Sequence, residues 1–327
     1  MGSLLPDRPM VIVGCTDRKS LPVPSCLRAG SLPRKGDVAT IAEHWVKSVK
    51  LEMRNGVTRP LRDLYQGEYW KVVLGLEGIS DILVASAGLG MHSLDDRGIG
   101  YAATFTSGVT DTVVRWPSRK NDHPSVTWWK ALQSPNGIGT PNWNRGLRDS
   151  RDKRPVLVAV SEAYQKALTD ELIAVSATGV PVVIVSGSQQ LHTLSGLPNI
   201  HHVKVGQKLR MLIGGSTPTV GIRFVRDVVE RGMWKNIDDI QNHLENLELK
   251  YERLPRSKQL PRFERAPMAS DEEVKKWIRQ KIRQGCTGKL SKSRLLRILR
   301  DDENRSCEQK RFGRLFDEVV AAGVSIK

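Results

Sequence analysis

The sequence predicts an α/β fold: a three-layer α/β/α sandwich on a mainly parallel sheet, followed by a small helical unit. Three observations carry this expectation. Four short runs rich in Val and Ile, at 10–13, 82–85, 156–160 and 182–185, lack polar alternation and read as strands buried on both faces. The segments between them are long enough for the helical crossovers that parallel strands require. The last 60 residues carry amphipathic helical patterns rich in Lys and Arg.

The first strand ends in Gly14-Cys15-Thr16-Asp17, and 21–35, rich in Pro, Ser and Gly, reads as a loop. The spacing of Ile41, Trp45, Val49 and Met53 predicts a helix over 37–55, capped by Asp37 and stopped by Gly56. A second helix follows Pro60 and ends near Gly78. The second strand runs into Ser86-Ala87-Gly88-Leu89-Gly90. Segment 114–155 then holds Trp116, Trp128, Trp129 and Trp143 without clear periodicity. Either these tryptophans pack an irregular insertion onto the sheet, or they stack on nucleobases or sugars beside a pocket. Arg115, Arg119, Lys120, Arg145 and Arg148 would suit the second reading. The third strand leads into a helix over 163–177, and Gly179-Val180-Pro181 introduces the fourth strand. Residues 201–205 read as a weaker fifth strand at an edge, with helices over 214–233 and 236–249 after it.

These elements divide into an α/β unit over 1–250, a basic linker over 251–267 and a helical unit over 268–327. In the last, Ser270 and Glu273 form a capping box, and Ser306 caps a final helix over 307–322. Helix, turn, helix with basic outward positions is a winged-helix or helix-turn-helix pattern. Lys289, Lys292, Arg294, Arg297, Arg300, Lys310, Arg311 and Arg314 are its candidate DNA contacts.

The charge agrees with a polyanionic partner. The chain carries 51 Lys+Arg against 35 Asp+Glu, a net +16, and residues 251–327 alone carry 20 against 11. Its four cysteines fall at no zinc-ligand spacing and in no dense disulfide pattern, which predicts a reducing, cytoplasmic setting. No apolar stretch approaches a bilayer span, so no membrane partner is expected. The N-terminus lacks the charged and apolar regions of a signal peptide, and Pro6 stands where myristoylation needs Ser or Thr. The sequence gives no reading of oligomeric state.

Several chemistries are argued against. There is no Walker A loop, no Gly-x-Gly-x-x-Gly after the first strand, no His-Glu-x-x-His and no Cys-x-x-Cys. Without Gly-x-Ser-x-Gly, Ser86, Ser161 and Ser186 have no nucleophile elbow. His201-His202 reads as an ordinary edge-strand pair; no metal and no cofactor is expected. What remains is a polar pocket beyond the carboxyl ends of the strands, where loops 15–19, 86–96 and 186–192 are expected to converge. Asp17, Asp95 and Asp96 are its candidate carboxylates. Each could activate a water or stabilise positive charge on a sugar as a base leaves, and each could instead cap a turn. Ser186-Gly187-Ser188 offers backbone N–H groups at a helix start.

One family pattern is visible. Cys15 and Lys19 after the first strand, Arg62-Asp63-Leu64-Tyr65, and Ser86-Ala87-Gly88-Leu89-Gly90 followed by Ile99-Gly100-Tyr101 together resemble the YaaA-like group of bacterial domains. The motifs cover about 8–110, and strand order extends the likeness to about 235. Ala102 departs from the group, which usually has an acidic residue after the tyrosine. The resemblance implies a fold related to uracil-DNA glycosylases and to base-binding domains of archaeal tRNA-modifying enzymes. It also implies base or sugar contacts from Cys15, Thr16, Lys19, Arg62, Asp63, Tyr65, Ser86, Gly88, Tyr101, Ser186, Gly187, Ser188, Gln189 and His192. With its basic tail the chain is similar to bacterial anti-phage glycosylases that remove modified cytosines, such as glucosylated hydroxymethylcytosine, from viral DNA. The expected partner is therefore double-stranded phage DNA with modified bases, and the expected act is base flipping and excision as antiviral defence. A non-enzymatic DNA-binding or nucleotide-sensing protein and a tRNA base-exchange enzyme stand as alternatives, and Lys19 leaves a lyase step open.

Overall fold

Strand β1 (Met10–Gly14) is buried along its whole length, as a Val/Ile run with strands on both sides must be. The computed structural model describes residues 8–118, 122–140, 143, 154–188, 191–255, 258–259, 266–268, 270–284, 291–303 and 305–322. Around β1 lie β2 (Asp81–Ser86), β3 (Gly90–Ser93), β4 (Val156–Ala159), β5 (Val182–Ser186) and β6 (Ile200–Lys204), in the order β3-β2-β1-β4-β5-β6. Val11 pairs with Ile82 on one side and Leu157 on the other, and every pairing is parallel except β2 with β3. The fold is thus α/β with a mostly parallel six-stranded sheet. The sixth strand, β3, was not expected. Its residues Gly, Met, His and Ser carry no strand signal, and it forms because the turn at Ala87-Gly88-Leu89 folds the chain back onto β2.

Helix α1 (Val38–Asn55) begins where Asp37 Oδ1 accepts from the N–H groups of Ala39 and Thr40, at 3.1 and 3.2 Å. It buries Ile41, Trp45 and Val49, the face read from the sequence. The expected second helix is two pieces, α2 (Leu61–Leu64) and α3 (Glu68–Leu74), parted at Gly67, whose φ of +108° no side-chain-bearing residue readily adopts. Helix α4 (Pro124–Gln133) carries Trp128 and Trp129. Beyond β4 come α5 (Glu162–Ala167) and α6 (Thr169–Ser176), and beyond β6 come α7 (Arg210–Ile213), α8 (Val220–Glu230) and α9 (Ile237–Glu252). Helix α9 runs two residues into the segment read as linker.

The tryptophans of the insertion belong to the core. Trp116, Trp128, Trp129 and Trp143 are each at most 2% exposed, and Trp116 stacks on Trp128 with ring centroids 6.1 Å apart. They offer no face to a base. Arg119, Lys120, Arg145 and Arg148 lie outside the described residues. Trp143 donates from Nε1 to Glu171 Oε2 at 2.9 Å, and burial pushes the Glu171 carboxyl above its ordinary value. The folded state therefore holds that proton more tightly than the unfolded chain. Stability is expected to be full below the ordinary carboxyl value near 4.5 and to fall as pH rises toward the raised one. Urea midpoints measured across that window should flatten in Glu171→Gln; an unchanged slope would refute the assignment.

The chain divides into two units, Met1–Gln259 and Leu260–Lys327. The second has its own core. Helices α10 (Asp271–Arg283), α11 (Lys292–Asp301) and α12 (Gln309–Ala321) enclose Val274, Ile278, Leu295, Leu299, Phe312 and Leu315. Ser270 Oγ caps α10 through the Glu273 N–H at 3.1 Å, one half of the expected capping box, and the Glu273 carboxylate accepts from Arg305 at 2.5 Å. Residues 305–306 pair in parallel with 266–267.

Candidate active site

The strand order reverses at β1. The chain leaves it toward β2 and later returns on the opposite side as β4, so the loops after β1 and β4 diverge and leave a crevice at their carboxyl ends. A cavity of about 580 Å³ occupies this position. Its lining comes from Gly14 to Asp17 after β1, Ala159 to Glu162 after β4, Val185 to Ser188 after β5, and the start of α8 from Thr217 to Ile222. Tyr69 anchors the floor. Its Oη accepts from the Gly14 N–H at 3.2 Å and donates to the Ala159 carbonyl at 2.9 Å, tying together the two diverging strands. Burial pushes that phenol well above its usual value, so it stays neutral.

Hydroxyls and one thiol give the cavity its character. Cys15 Sγ lies 3.1 Å from Tyr164 Oη, and both line the wall. Ser186 Oγ sits 3.0 Å from His202 Nε2 and 3.2 Å from Ser188 Oγ. Burial lowers the His202 pKa, with Lys204 adding to the effect, so the ring is neutral around pH 7 and its tautomer sets whether Ser186 donates or accepts. His202 is therefore no ordinary edge residue. The pairing of Ile184 with His202 brings it beside the end of β5, a register the sequence does not announce. Asp17 stands exposed at the rim, and Glu162, paired with Lys166 at 2.8 Å, is the second carboxylate of the lining.

Several residues of the expected site stand behind the wall. Tyr101 and Ser86 are fully buried and joined at 2.7 Å; Tyr65 meets Tyr101 at 2.9 Å. Lys19 Nζ donates to the carbonyls of Thr16 at 3.0 Å and Asp17 at 3.3 Å, and lies 4.1 Å from the centre of the Tyr101 ring. Desolvation lowers its pKa, opposed by the charges of Cys15, Asp17 and Asp111. These contacts make it a staple that fixes loop 15–19. Ala102 is held by its backbone, through Leu27 and Ala29 at 2.8 Å each.

Other expected members lie elsewhere. The turn after β2 does not line the cavity: Trp45 and Trp128 donate to the carbonyls of Gly88 and Ala87, each at 2.8 Å. Asp95 is a surface partner of Arg62, which also holds Glu77, so Arg62 and Asp95 leave the site together. Asp96 caps a turn, accepting from the Ser93 N–H at 2.8 Å and bonding His92 Nδ1 at 3.3 Å; the His92 bond holds its carboxyl below the usual range despite partial burial. Asp63 is exposed and contributes only its carbonyl, to Ser20 Oγ at 2.7 Å. His192 is exposed on a single helical turn, His192–Leu194, outside the lining, and no helix starts at Ser186-Gly187-Ser188, whose chain bends there instead. Gln189 lies outside the described residues. Sequence reasoning missed Tyr69, Tyr164, Thr104, Thr106 and the Thr217-Pro218 cap of α8. Only the last had a local signal, the Ser216 to Thr219 capping box.

In the second unit, Lys292 pairs with Asp317 at 2.6 Å, Arg311 with Asp271 at 2.7 Å, and Arg314 with Asp271 and Glu318 at 2.7 Å each. Arg294 and Arg297 are exposed on α11, and Arg300 donates to the Cys307 carbonyl at 2.9 Å. Lys289 and the Lys310 side chain lie outside the described residues.

No family model, curated protein or solved structure matches the chain. Among the described residues no helix is long and apolar enough to cross a membrane, and no three His, Cys, Asp or Glu side chains gather as metal ligands.

Proposed function

We propose that this protein is a DNA glycosylase, which flips a modified cytosine out of double-stranded DNA and hydrolyses its N-glycosidic bond. The observation that carries the reading is the chemistry of the cavity at the β1/β4 switch point. Its described lining contains two carboxylates and a set of hydroxyls, and neither Lys nor Arg. A free nucleoside triphosphate would bring several negative charges that no cationic side chain of the described lining could neutralise. A flipped nucleoside brings none into the pocket, because its phosphates stay on the DNA backbone outside. About 580 Å³ is also generous for base plus sugar, which favours a base enlarged by a substituent such as glucosylated hydroxymethyl.

Asp17 is the carboxylate placed to act. At the rim it meets the sugar of an inserted nucleoside rather than the deep end of the base. As the C1′–N1 bond breaks, positive charge grows on C1′ and the ring oxygen, and Asp17 stabilises it while orienting a water toward C1′. The water oxygen bonds C1′, its proton goes to the departing base, and an abasic site remains. Thr16, Ser186 and Ser188 supply hydrogen bonds to the base or its sugar substituent. Lys19, tied to two backbone carbonyls, supports base release without a lyase step.

The strand reversal supports the three-layer arrangement too, since right-handed crossovers running opposite ways from β1 put helices on opposite faces. Action on incoming phage DNA would place the enzyme in the cytoplasm as an antiviral defence. The full chain incubated with duplex DNA bearing glucosylated hydroxymethylcytosine is expected to yield free modified base and abasic sites, and neither from unmodified DNA. Intact modified DNA would overturn the proposal. So would replacement of the base by another instead of its loss.

A further inference from the structure

Charge in the second unit is sorted by face. On the α12 side, cations and carboxylates neutralise one another: Asp271 takes Arg311 and Arg314, Glu318 takes Arg314 and Lys275, and Asp317 takes Lys292. A phosphate arriving there would have to displace a carboxylate already in place. Lys276, Arg279 and Arg283, by contrast, make no ion pair among the described residues. They fall at i, i+3 and i+7 of α10 and so share one face of the helix. The opposite face holds Val274, Ile278 and Ile282, at 0, 0 and 7% exposure, which locks the cationic stripe outward. Lys276 and Arg283 are exposed and Arg279 is half-buried. Glu272, one turn before Lys276, is the acidic residue at the near end and is drawn to Lys275 at 3.4 Å. Arg297 on α11 is exposed and likewise makes no ion pair among the described residues.

We propose that this α10 stripe is the phosphate-gripping surface of the second unit, and that its occupant is the backbone of double-stranded DNA. Lys292, Arg311 and Arg314 then serve the unit's fold rather than its ligand. At about 1.5 Å per residue the stripe spans about 10 Å, and its three long side chains can reach about two to three successive phosphates of one strand. Such contacts are independent of sequence, so they hold the duplex while the α/β unit selects the base. The inference rests on the DNA reading above.

Binding of the full chain to a short unmodified duplex, followed by fluorescence anisotropy over a salt series, tests it. Each phosphate contact contributes about 0.9 to the slope of log K against log salt. Lys276→Gln/Arg279→Gln/Arg283→Gln is expected to lower that slope by about 2 to 3 and to weaken binding at least about tenfold near 0.1 M salt. Lys276→Gln/Arg283→Gln, confined to the two exposed positions, should show about two thirds of the change in slope. Lys292→Gln should leave the slope as it is. A triple variant with the wild-type slope, or a Lys292→Gln slope reduced as far as the triple's, overturns the stripe while wild-type DNA binding still stands. A wild-type protein that ignores duplex DNA, or prefers duplex RNA, overturns the DNA reading as well.

Discussion

Asp17→Asn is expected to cut base release about a thousandfold while duplex binding stays within about twofold of wild type. The amide keeps the size of the carboxylate and removes only its charge, which is what the developing oxocarbenium ion needs. Asp17 is exposed in the free protein, and among the described residues its side-chain oxygens form no hydrogen bond or ion pair, so the substitution removes only the attraction between its charge and Lys19. Stability should therefore hold and the loss should appear in the single-turnover rate. Asp95→Asn separates this assignment from its rival. Asp95 is tied to Arg62 on the surface, away from the lining, and its loss should leave release unchanged. Release that persists in Asp17→Asn, or collapses in Asp95→Asn, would remove Asp17 from the chemistry. Glu162, on the facing loop, would then be the carboxylate to change next.

What could be read from the chain in advance divides along physical lines. Strands β1, β2, β4 and β5 were legible because a strand buried on both faces must be apolar at every position, a local property of Val and Ile runs. Strand β3 was not, because its hydrogen bonds come from its partner and its residues are those of a turn. The same distinction runs through the site. Cys15, Thr16, Asp17, Ser186 and Ser188 were recovered, since strand ends in a parallel sheet must point at the crevice. The loop after β2 obeys the same rule and still misses the cavity, because two indole N–H groups from distant helices claim its carbonyls. No pattern within 86–96 records that. Tyr69, Tyr164 and His202 were missed for a related reason: each acts through a partner distant in sequence, brought to it by helix packing for Tyr69 and Tyr164 and by the register of the sheet for His202. The candidate DNA contacts show a third limit. A cluster of Lys and Arg in sequence gives charge, but only coordinates show which cations already have a carboxylate.

Gly88→Ala is expected to cost about 3 kcal/mol of stability, at the upper end of what overpacking a core does. The φ of Gly88 is not positive, so the requirement is one of space. A Cβ there would sit 2.2 to 2.7 Å from three atoms of the Tyr101 ring. Relief would need the ring or the turn to move, and both are held. Tyr101 is fully buried with its hydroxyl between Ser86 and Tyr65, at 2.7 and 2.9 Å, and its ring carries Lys19 on one face. The turn is pinned by Trp45 and Trp128 through the carbonyls of Gly88 and Ala87. Because Lys19 also fixes loop 15–19, the strain should reach the rim of the cavity as well as the core. Two measurements separate these effects: a drop in the urea midpoint reports the packing, and a loss of base release at a temperature where the variant remains folded reports the displaced loop. Tyr101→Phe gives the comparison. It leaves the ring in place and removes the bonds its hydroxyl makes with Ser86 and Tyr65, while Ser86 Oγ still accepts from the Leu89 N–H at 2.9 Å, so it should cost about 1 to 3 kcal/mol without the clash. A Gly88→Ala protein as stable as wild type would mean that the ring has a free path away from the turn, and the staple through Lys19 would lose its anchor.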